Sequence, residues 1–324
     1  MKISVFFKKY VKFAVLNPDF EDVRKEVEHI AKIFDESEHV IHKGRNTLKI
    51  VLLGSYEVVI KKFSVPNFFN QFIYSTFRKS KAERSFRNSL EILDRGFVAP
   101  TPIAFIEERQ WGRLKDSYYI STYEKEYQSI RPFMDGLLQN NDLLQAFAEF
   151  TSQLHISGIL HKDYSPGNIL WKQNMPDTTY SFCLVDVNRM SIYSYDKEYY
   201  KNLARLSTKR DITTFLAENY AHYTHNDKKV VIQLINEYSD NFFLKKTYKY
   251  SIRNLHRKPH IVHLKGIWDL SCYFLFLRLR QTKILPERIN EKLLRREVVI
   301  YNHYIRKNDI SDVLVHRYNY NHAK

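Results

Sequence analysis

The hydrophobic pattern of the first part of the chain predicts a small antiparallel sheet. Residues 38–63 alternate β-branched and polar positions, and the turn formers Gly44, Arg45 and Asn46, followed by those at 54–55, interrupt the alternation. Period-two alternation bounded by glycine-containing turns is typical of strands joined by hairpins. The segment therefore predicts three antiparallel strands joined by two turns.

An amphipathic helix is predicted to follow these strands. Ser80 and Glu83 have the spacing of a capping box, which satisfies free N–H groups at the start of a helix. Gly96 marks the end, because glycine readily adopts the left-handed conformation that closes a helix. The apolar positions at spacings of four, four and three are Ala82, Phe86, Leu90 and Leu93, which is typical of one amphipathic helix.

Helical periodicity dominates the later part of the chain, after one further predicted strand over residues 117–122. A second amphipathic helix is predicted to begin near Asn141 or Asp142 and to end at Gly158. Its apolar face carries Leu143, Leu144, Phe147, Phe150 and Leu154. Further helices are expected from residue 201 onward, so the pattern as a whole indicates an α+β protein.

Length and composition indicate an ordinary globular protein of more than one lobe. The chain has 324 residues, of which 44% are apolar or aromatic and 27% charged. A single core rarely grows to this size, so two lobes are the expectation. Only 8 residues are glycine, and neither GxGxxG nor GxxxxGK[ST] occurs, so the two commonest glycine-built phosphate sites are excluded.

The positive charge is concentrated at the end of the sequence. Residues 241–324 hold 18 Lys and Arg against 6 Asp and Glu, which gives +12 of the formal net charge of +15. Such a surface suits anionic lipid headgroups or nucleic acid, while a solvated helical face would account for it equally well. No nucleic-acid recognition motif accompanies the charge, so a nucleic-acid partner is not favoured.

The cysteines and the apolar runs indicate a cytoplasmic protein. Cys183 and Cys272 match neither a disulfide framework nor a metal-binding spacing. No apolar run reaches the roughly 20 residues that a spanning helix needs, and the first residues lack the features of a signal peptide. We therefore expect a cytoplasmic location, peripheral to the inner face of a membrane if the basic segment binds lipid.

Five polar residues have the order and spacing typical of enzymes that transfer phosphate. His161-x-Asp163-x4-Asn168 matches a kinase catalytic loop, and Asp186 follows at the end of an apolar strand, where a metal-binding acid is expected. Upstream, Lys61 ends the third predicted strand in the sequence VVIK, in the manner of a kinase V-A-I-K motif. These side chains supply a proton acceptor, Mg²⁺ ligands and a cation for phosphate.

With these motifs in order, the chain resembles the lipopolysaccharide core kinase family of the Kdo or heptose kinase type. GRNTLK, SKAERSFRNSLEIL, GFVAPTP, HKDYSPGNIL and LVDVNRM carry the resemblance, which covers residues 38–240. It implies a two-lobed protein-kinase-like fold, with a small antiparallel β-sheet and one main helix in the N-terminal lobe and a larger, mostly helical C-terminal lobe. The expected boundaries are 1–122, 123–264 and a basic helical extension over 265–324.

The resemblance implies a role for each residue of the catalytic motifs. Asp163 would orient the acceptor hydroxyl and take its proton, and Lys61 would bind the α and β phosphates of ATP. Asn168 and Asp186 would be the Mg²⁺ ligands, and His161 would support the catalytic loop through hydrogen bonds.

Two further elements would complete the nucleotide site. The turn Gly44-Arg45-Asn46 would lie over the phosphates in place of a glycine-rich loop. Glu83 is the expected partner of Lys61, although the capping box by itself explains a glutamate there, and Glu91 is the alternative.

The implied function is transfer of phosphate from ATP to a sugar hydroxyl of the lipopolysaccharide inner core or a related glycolipid at the inner membrane surface. Ser165 stands where protein kinases usually carry a lysine, and Asp186-Val187-Asn188 replaces DFG, so a protein substrate is disfavoured. Two alternatives remain open: a small-molecule kinase of the aminoglycoside or choline type, and a pseudokinase regulator. The oligomeric state is not predicted.

Overall fold

The computed structural model describes residues 10–64, 79–111, 113–192 and 197–257, which form two compact units. The first unit is the described part of Met1–Ser129 together with His161–Asp163 and Asn168–Ile192. The second is Ile130–Leu160, Tyr164–Gly167 and the described part of Tyr193–Lys324. Cys272 and the extension predicted over 265–324 lie outside the described residues.

A six-stranded antiparallel sheet is the main element of the first unit. Its strands are β1 (Tyr10–Leu16), β2 (Val40–Lys43), β3 (Thr47–Leu53), β4 (Tyr56–Phe63), β5 (Pro102–Gln110) and β6 (Arg113–Thr122). Their order across the sheet is β1-β5-β6-β4-β3-β2. The three strands predicted over residues 38–63 are confirmed as β2, β3 and β4, and Gly54 has a φ of 54° in the second turn.

The residues of β4 alternate between two apolar layers. Val58 and Ile60 are fully buried on the face covered by the short helical segments Pro18–Val23, Arg24–Glu28 and Ile30–Glu36. Phe63 belongs to the opposite layer, which also contains Phe105, Tyr119, Ala82 and Phe86. Because side chains alternate along a strand, Lys61 lies on the same face as Phe63.

The helix Lys81–Asp94 covers this second face, and its predicted start is confirmed. Ser80 is the N-cap, and its hydroxyl accepts a hydrogen bond from the Glu83 N–H at 3.0 Å. Gly96, which follows the helix, has a φ of 79°.

Leu90 is an apolar position of this helix that the fold does not bury. Leu90 is 40% exposed, whereas Ser85 and Ser89 are buried. The hydroxyls of Ser89 and Tyr119 share a hydrogen bond of 2.8 Å, so at Ser89 a polar contact takes the place of an apolar one on this face.

The strands that follow β6 include a second, smaller sheet. The strands after β6 are β7 (Gln128–Ser129), β8 (Ile159–His161), β9 (Ile169–Gln173), β10 (Tyr180–Leu184) and β11 (Met190–Ile192), and β10, β9 and β7 form a three-stranded sheet in that order. Cys183 in β10 is buried, as a core residue would be, and pairs with Val98 in a parallel bridge. This pairing joins the small sheet to the segment that follows the main helix of the unit.

The second unit is helical. Its helices are Arg131–Met134, Asn141–Ile156, Lys197–Leu203, Arg210–Tyr223 and Lys228–Arg257. The second predicted helix is confirmed, with Asn140 as its N-cap and Gly158 at a φ of 76° beyond its end. Leu143, Phe147 and Leu154 are fully buried along it. An antiparallel sheet together with these helices confirms the α+β class.

A buried histidine lies at the centre of this helical unit. The Nδ1 atom of His155 is 3.0 Å from the hydroxyl of Tyr220, and Nε2 is 3.3 Å from Asn202 Nδ2. Burial lowers the pKa of His155 to about 3, so its ring is neutral at physiological pH. The side chain therefore stabilises the unit as a neutral hydrogen-bonding group.

Candidate active site

Lys61 and Asp186 are brought together although 125 residues separate them along the chain. The antiparallel register places Lys61 opposite Tyr119 of β6 and opposite Leu48 of β3. Its Nζ lies 2.6 Å from Asp186 Oδ1, with the lysine side chain 10% exposed and the aspartate side chain 31% exposed. The two residues thus form a partly buried ion pair in the first unit.

Asp186 is held as a carboxylate in an uncommon backbone conformation. Its φ is 55°, a left-handed value that aspartate tolerates better than most residues. Its Oδ1 atom also accepts a hydrogen bond from Asn188 Nδ2. Burial raises the pKa of Asp186, but the charge and hydrogen bond of Lys61 and the hydrogen bond of Asn188 outweigh it, so the net pKa is lowered. The group is therefore ionised at neutral pH.

His161 fixes the main chain next to Asp163. The Asp163 N–H donates to His161 Nδ1 at 3.1 Å, so the ring proton is on Nε2, which donates to the Val185 carbonyl at 3.2 Å. Burial lowers the pKa of His161, which favours this neutral ring. His161 therefore ties the loop that carries Asp163 to the residue that precedes Asp186.

Asn168 makes the second connection between the same two segments. Its Nδ2 donates to the Asp163 carbonyl at 2.9 Å, and its own carbonyl accepts from the Val185 N–H at 3.0 Å. The Asp163 side chain is exposed, as a group that meets a substrate must be. The loop residues and Asp186 are consequently held in one fixed arrangement by hydrogen bonds.

The side chains of Asn168 and Asp186 fit a divalent cation that takes its other ligands from phosphate. Within the described ranges, no group of three or more His, Cys, Asp or Glu side chains could hold a metal ion by itself. The hydrogen bonds given above occupy Asn168 Nδ2 and Asp186 Oδ1, which leaves Asn168 Oδ1 and Asp186 Oδ2 for a ligand. Mg²⁺ commonly uses one or two protein oxygens and takes its other ligands from phosphates and water.

Glu83 does not contact Lys61 in this structure. Its carboxylate accepts a hydrogen bond from Arg87 Nε at 2.8 Å instead. The buried residues of the helix Lys81–Asp94 are Ala82, Ser85, Phe86, Ser89 and Ile92, and none of them is acidic. The hydroxyl of Ser85 is buried without a hydrogen-bond partner among the described residues. Asp186 is therefore the carboxylate that neutralises Lys61 here.

The turn Gly44-Arg45-Asn46 lies at the end of β3 that is nearest Lys61. Its Gly44 N–H donates to the Asn46 carbonyl at 3.1 Å, and Asn46 Oδ1 accepts from the Ser64 N–H at 3.4 Å. Since Thr47 pairs with Lys62 and Leu48 with Lys61, one residue pair separates the turn from the pair that contains Lys61.

Three residues around Asp186 were not predicted from the sequence. Asn188 bonds its carboxylate, and Asn88 of the main helix donates to the Val187 carbonyl at 2.6 Å. The Nζ atoms of Lys61 and Lys81 lie 5.2 Å and 5.8 Å from the centroid of the Phe63 ring. An asparagine two residues after the predicted metal ligand was a usable signal for Asn188, whereas nothing local marks Asn88 or Lys81.

Comparison with known proteins gives a family and a fold. The model of the lipopolysaccharide kinase (Kdo/WaaP) family matches residues 35–234, more than half of the chain. A solved structure described as WaaP in complex with acyl carrier protein has a similar fold, with a TM-score of 0.51 and 13% sequence identity over 71% of this chain and 98% of that one. No curated protein matches the sequence. None of the helices in the described ranges combines the length and apolarity needed to cross a bilayer.

Proposed function

The chain belongs to the lipopolysaccharide kinase (Kdo/WaaP) family, and on that premise we propose that it phosphorylates a sugar of the lipopolysaccharide inner core. In this proposal the γ-phosphoryl group of ATP passes to a hydroxyl of Kdo or heptose, or of a related glycolipid. The supporting observation is the cluster of Lys61, Asp163, Asn168 and Asp186 within one compact unit. The acid, the cation and the oxygen ligands that phosphoryl transfer needs are all present there.

Asp163 would act on the acceptor. Its carboxylate is exposed, while its backbone N–H and carbonyl are held by His161 and Asn168. A fixed main chain limits the positions of the carboxylate, which favours a single orientation of the hydroxyl. The hydroxyl oxygen would bond to the γ-phosphorus as the bond to the bridging oxygen breaks, ADP would leave, and the proton would pass to Asp163.

Lys61 and the two metal ligands would act on the nucleotide. Lys61 would bind the α and β phosphates, and Asn168 and Asp186 would hold Mg²⁺. When bound, Mg²⁺ would neutralise charge that develops on the phosphate oxygens. Since Lys61 and Asp186 pair with each other here, nucleotide binding would exchange that ion pair for one phosphate contact and one metal contact.

The decisive experiment is phosphate transfer from ATP to purified core glycolipid in the presence of Mg²⁺, with the mass of the product recorded. We expect the glycolipid to gain one phosphate, and Asp163→Asn and Asp186→Asn to abolish the gain. Asp177→Asn is the matched control, because Asp177 is an exposed aspartate in the loop between β9 and β10 and has no role in the proposal. Loss of transfer in that control would show that the assay reports damage to the fold.

Other outcomes would favour the alternatives. Transfer to an aminoglycoside or choline but not to the glycolipid would indicate a small-molecule kinase. Binding of ATP without transfer to any acceptor would indicate a pseudokinase regulator.

The proposal also includes a two-lobed arrangement, with an N-terminal lobe over 1–122, a catalytic lobe over 123–264 and an extension over 265–324.

We also propose peripheral binding to anionic membrane, because the acceptor is lipid-anchored and residues 241–324 carry a net charge of +12. The full chain should bind vesicles that contain anionic lipid more tightly than zwitterionic ones, and added salt should weaken the binding. Equal binding to both kinds of vesicle would contradict this part of the proposal.

A further inference from the structure

Lys81, the first residue of the helix Lys81–Asp94, points its ammonium toward the ring that also lies beneath Lys61. The Nζ atom of Lys81 is 5.8 Å from the centroid of Phe63, and that of Lys61 is 5.2 Å from it, so the two nitrogens are at most 11.0 Å apart. Phe63 is 3% exposed and packs against Ala82 and Phe86 of the same helix. The two ammonium groups therefore lie beside the same buried ring.

Among the residues that the structure describes, the charges close to Lys81 are mainly positive. Burial is the largest cause that lowers the pKa of Lys81. The nearby cations Arg45, Arg84 and Lys61 lower it further, and the charge of Asp186 acts in the opposite direction. In the part of the chain that the structure describes, Lys81 forms no ion pair, and the single acid Asp186 is already paired with Lys61. A partly buried cluster of cations with one carboxylate is an electrostatic site for an anion.

We propose that Lys81 binds the polyphosphate of the nucleotide, as a second lysine beside Lys61. Two ammonium groups beside one ring favour an extended anion with several charges, and a chain of phosphates has both properties. The helix Lys81–Asp94 then has a direct function in binding, because the residue at its start contacts the ligand and Asn88 further along bonds the Val187 carbonyl next to Asp186. The inference rests on the proposed function, since it assumes that the nucleotide occupies this site.

Binding of Mg–ATP and of inorganic tripolyphosphate to the full chain, measured by calorimetry without any acceptor, tests this role. Lys81→Met should weaken the binding of both ligands roughly tenfold, as expected for the loss of one charge-assisted contact at a partly exposed site. Lys81→Arg should restore most of the affinity. Lys79→Met is the matched control, because Lys79 is an exposed lysine two residues away that lies outside the proposed site. The affinity of this variant for both ligands should equal that of the unchanged protein.

Each result separates this inference from the proposed function. If the unchanged protein does not bind Mg–ATP, the proposed function fails. If the unchanged protein binds and Lys81→Met binds equally well, only the role of Lys81 is overturned. A normal nucleotide affinity with a raised KM for the glycolipid would also overturn it, because the anion held by Lys81 would then belong to the acceptor. Should Lys81→Met fail to fold, Lys81→Gln and the salt dependence of ATP binding provide the same comparison.

Discussion

The ion pair between Lys61 and Asp186 gives a quantitative prediction about the protein without nucleotide. Lys61→Met removes the ammonium and keeps a stem of similar length, and Asp186→Asn removes the charge of the acid. Asparagine also tolerates the left-handed backbone, with a φ of 55°, that Asp186 adopts. A double-mutant cycle of these substitutions therefore isolates the interaction between the two charges with little change in shape.

The expected coupling energy follows from how far the pair is exposed. Fully exposed pairs contribute up to about 1 kcal/mol, and breaking a fully buried pair costs about 3–5 kcal/mol. With side-chain exposures of 10% and 31%, this pair lies between those limits. We expect a coupling of about 1–2 kcal/mol in the free energy of unfolding, which includes the cost of leaving the remaining charge without its partner.

Urea denaturation of the unchanged protein, both single variants and the double variant measures this coupling. The four proteins are compared at neutral pH without nucleotide, because Mg–ATP bound by the unchanged protein and not by the variants would add its own stabilisation to the coupling. A coupling indistinguishable from zero would refute the ion pair.

Three further predictions concern groups that support the site and the helical unit. Asn88→Ala should lower the free energy of unfolding by about 1 kcal/mol in chemical denaturation, because the Val187 carbonyl loses its donor. Tyr119→Phe should cost about 1–2 kcal/mol in the same assay, and adding Ser89→Ala should recover part of that loss by removing the orphaned hydroxyl. His155 protonates near pH 6.5 in the unfolded chain but only near about 3 in the folded protein, so thermal stability should fall as the pH drops below 6.5, and His155→Gln should make that fall shallower.

Strands β2, β3 and β4 could be predicted because their signals are local, and the same is true of the helices Lys81–Asp94 and Asn141–Ile156. Alternation, turn residues and capping side chains each act within a few positions. Strands β1 and β5 gave no such signal. β5 contains Glu107 and Glu108, a residue type that is usually exposed, yet both are buried and Glu107 pairs with Arg109 at 2.8 Å. A charge that is compensated within the fold cannot be told from an exposed one in the sequence.

The same reasoning explains which parts of the site were predicted. The spacing of Asp163, Asn168 and Asp186 reflects one loop and one hairpin, so it is visible in the sequence. The partner of Lys61 depends on which residues of a helix face the sheet, and that face proved to contain Ser85 and Ser89. Such a rotation follows from packing across the fold and not from the periodicity of the helix alone.

The connection through Val185 has a consequence for how this site can change during evolution. The Val185 N–H donates to the Asn168 carbonyl, and the Val185 carbonyl accepts from His161 Nε2, so Val185 itself uses only main-chain atoms. Any residue except proline could supply them. The hairpin of β9 and β10 begins beyond this pairing, so its tip can lengthen or shorten while Asp186 keeps its position beside Asn168. The fold therefore does not require a fixed number of residues between Asn168 and Asp186.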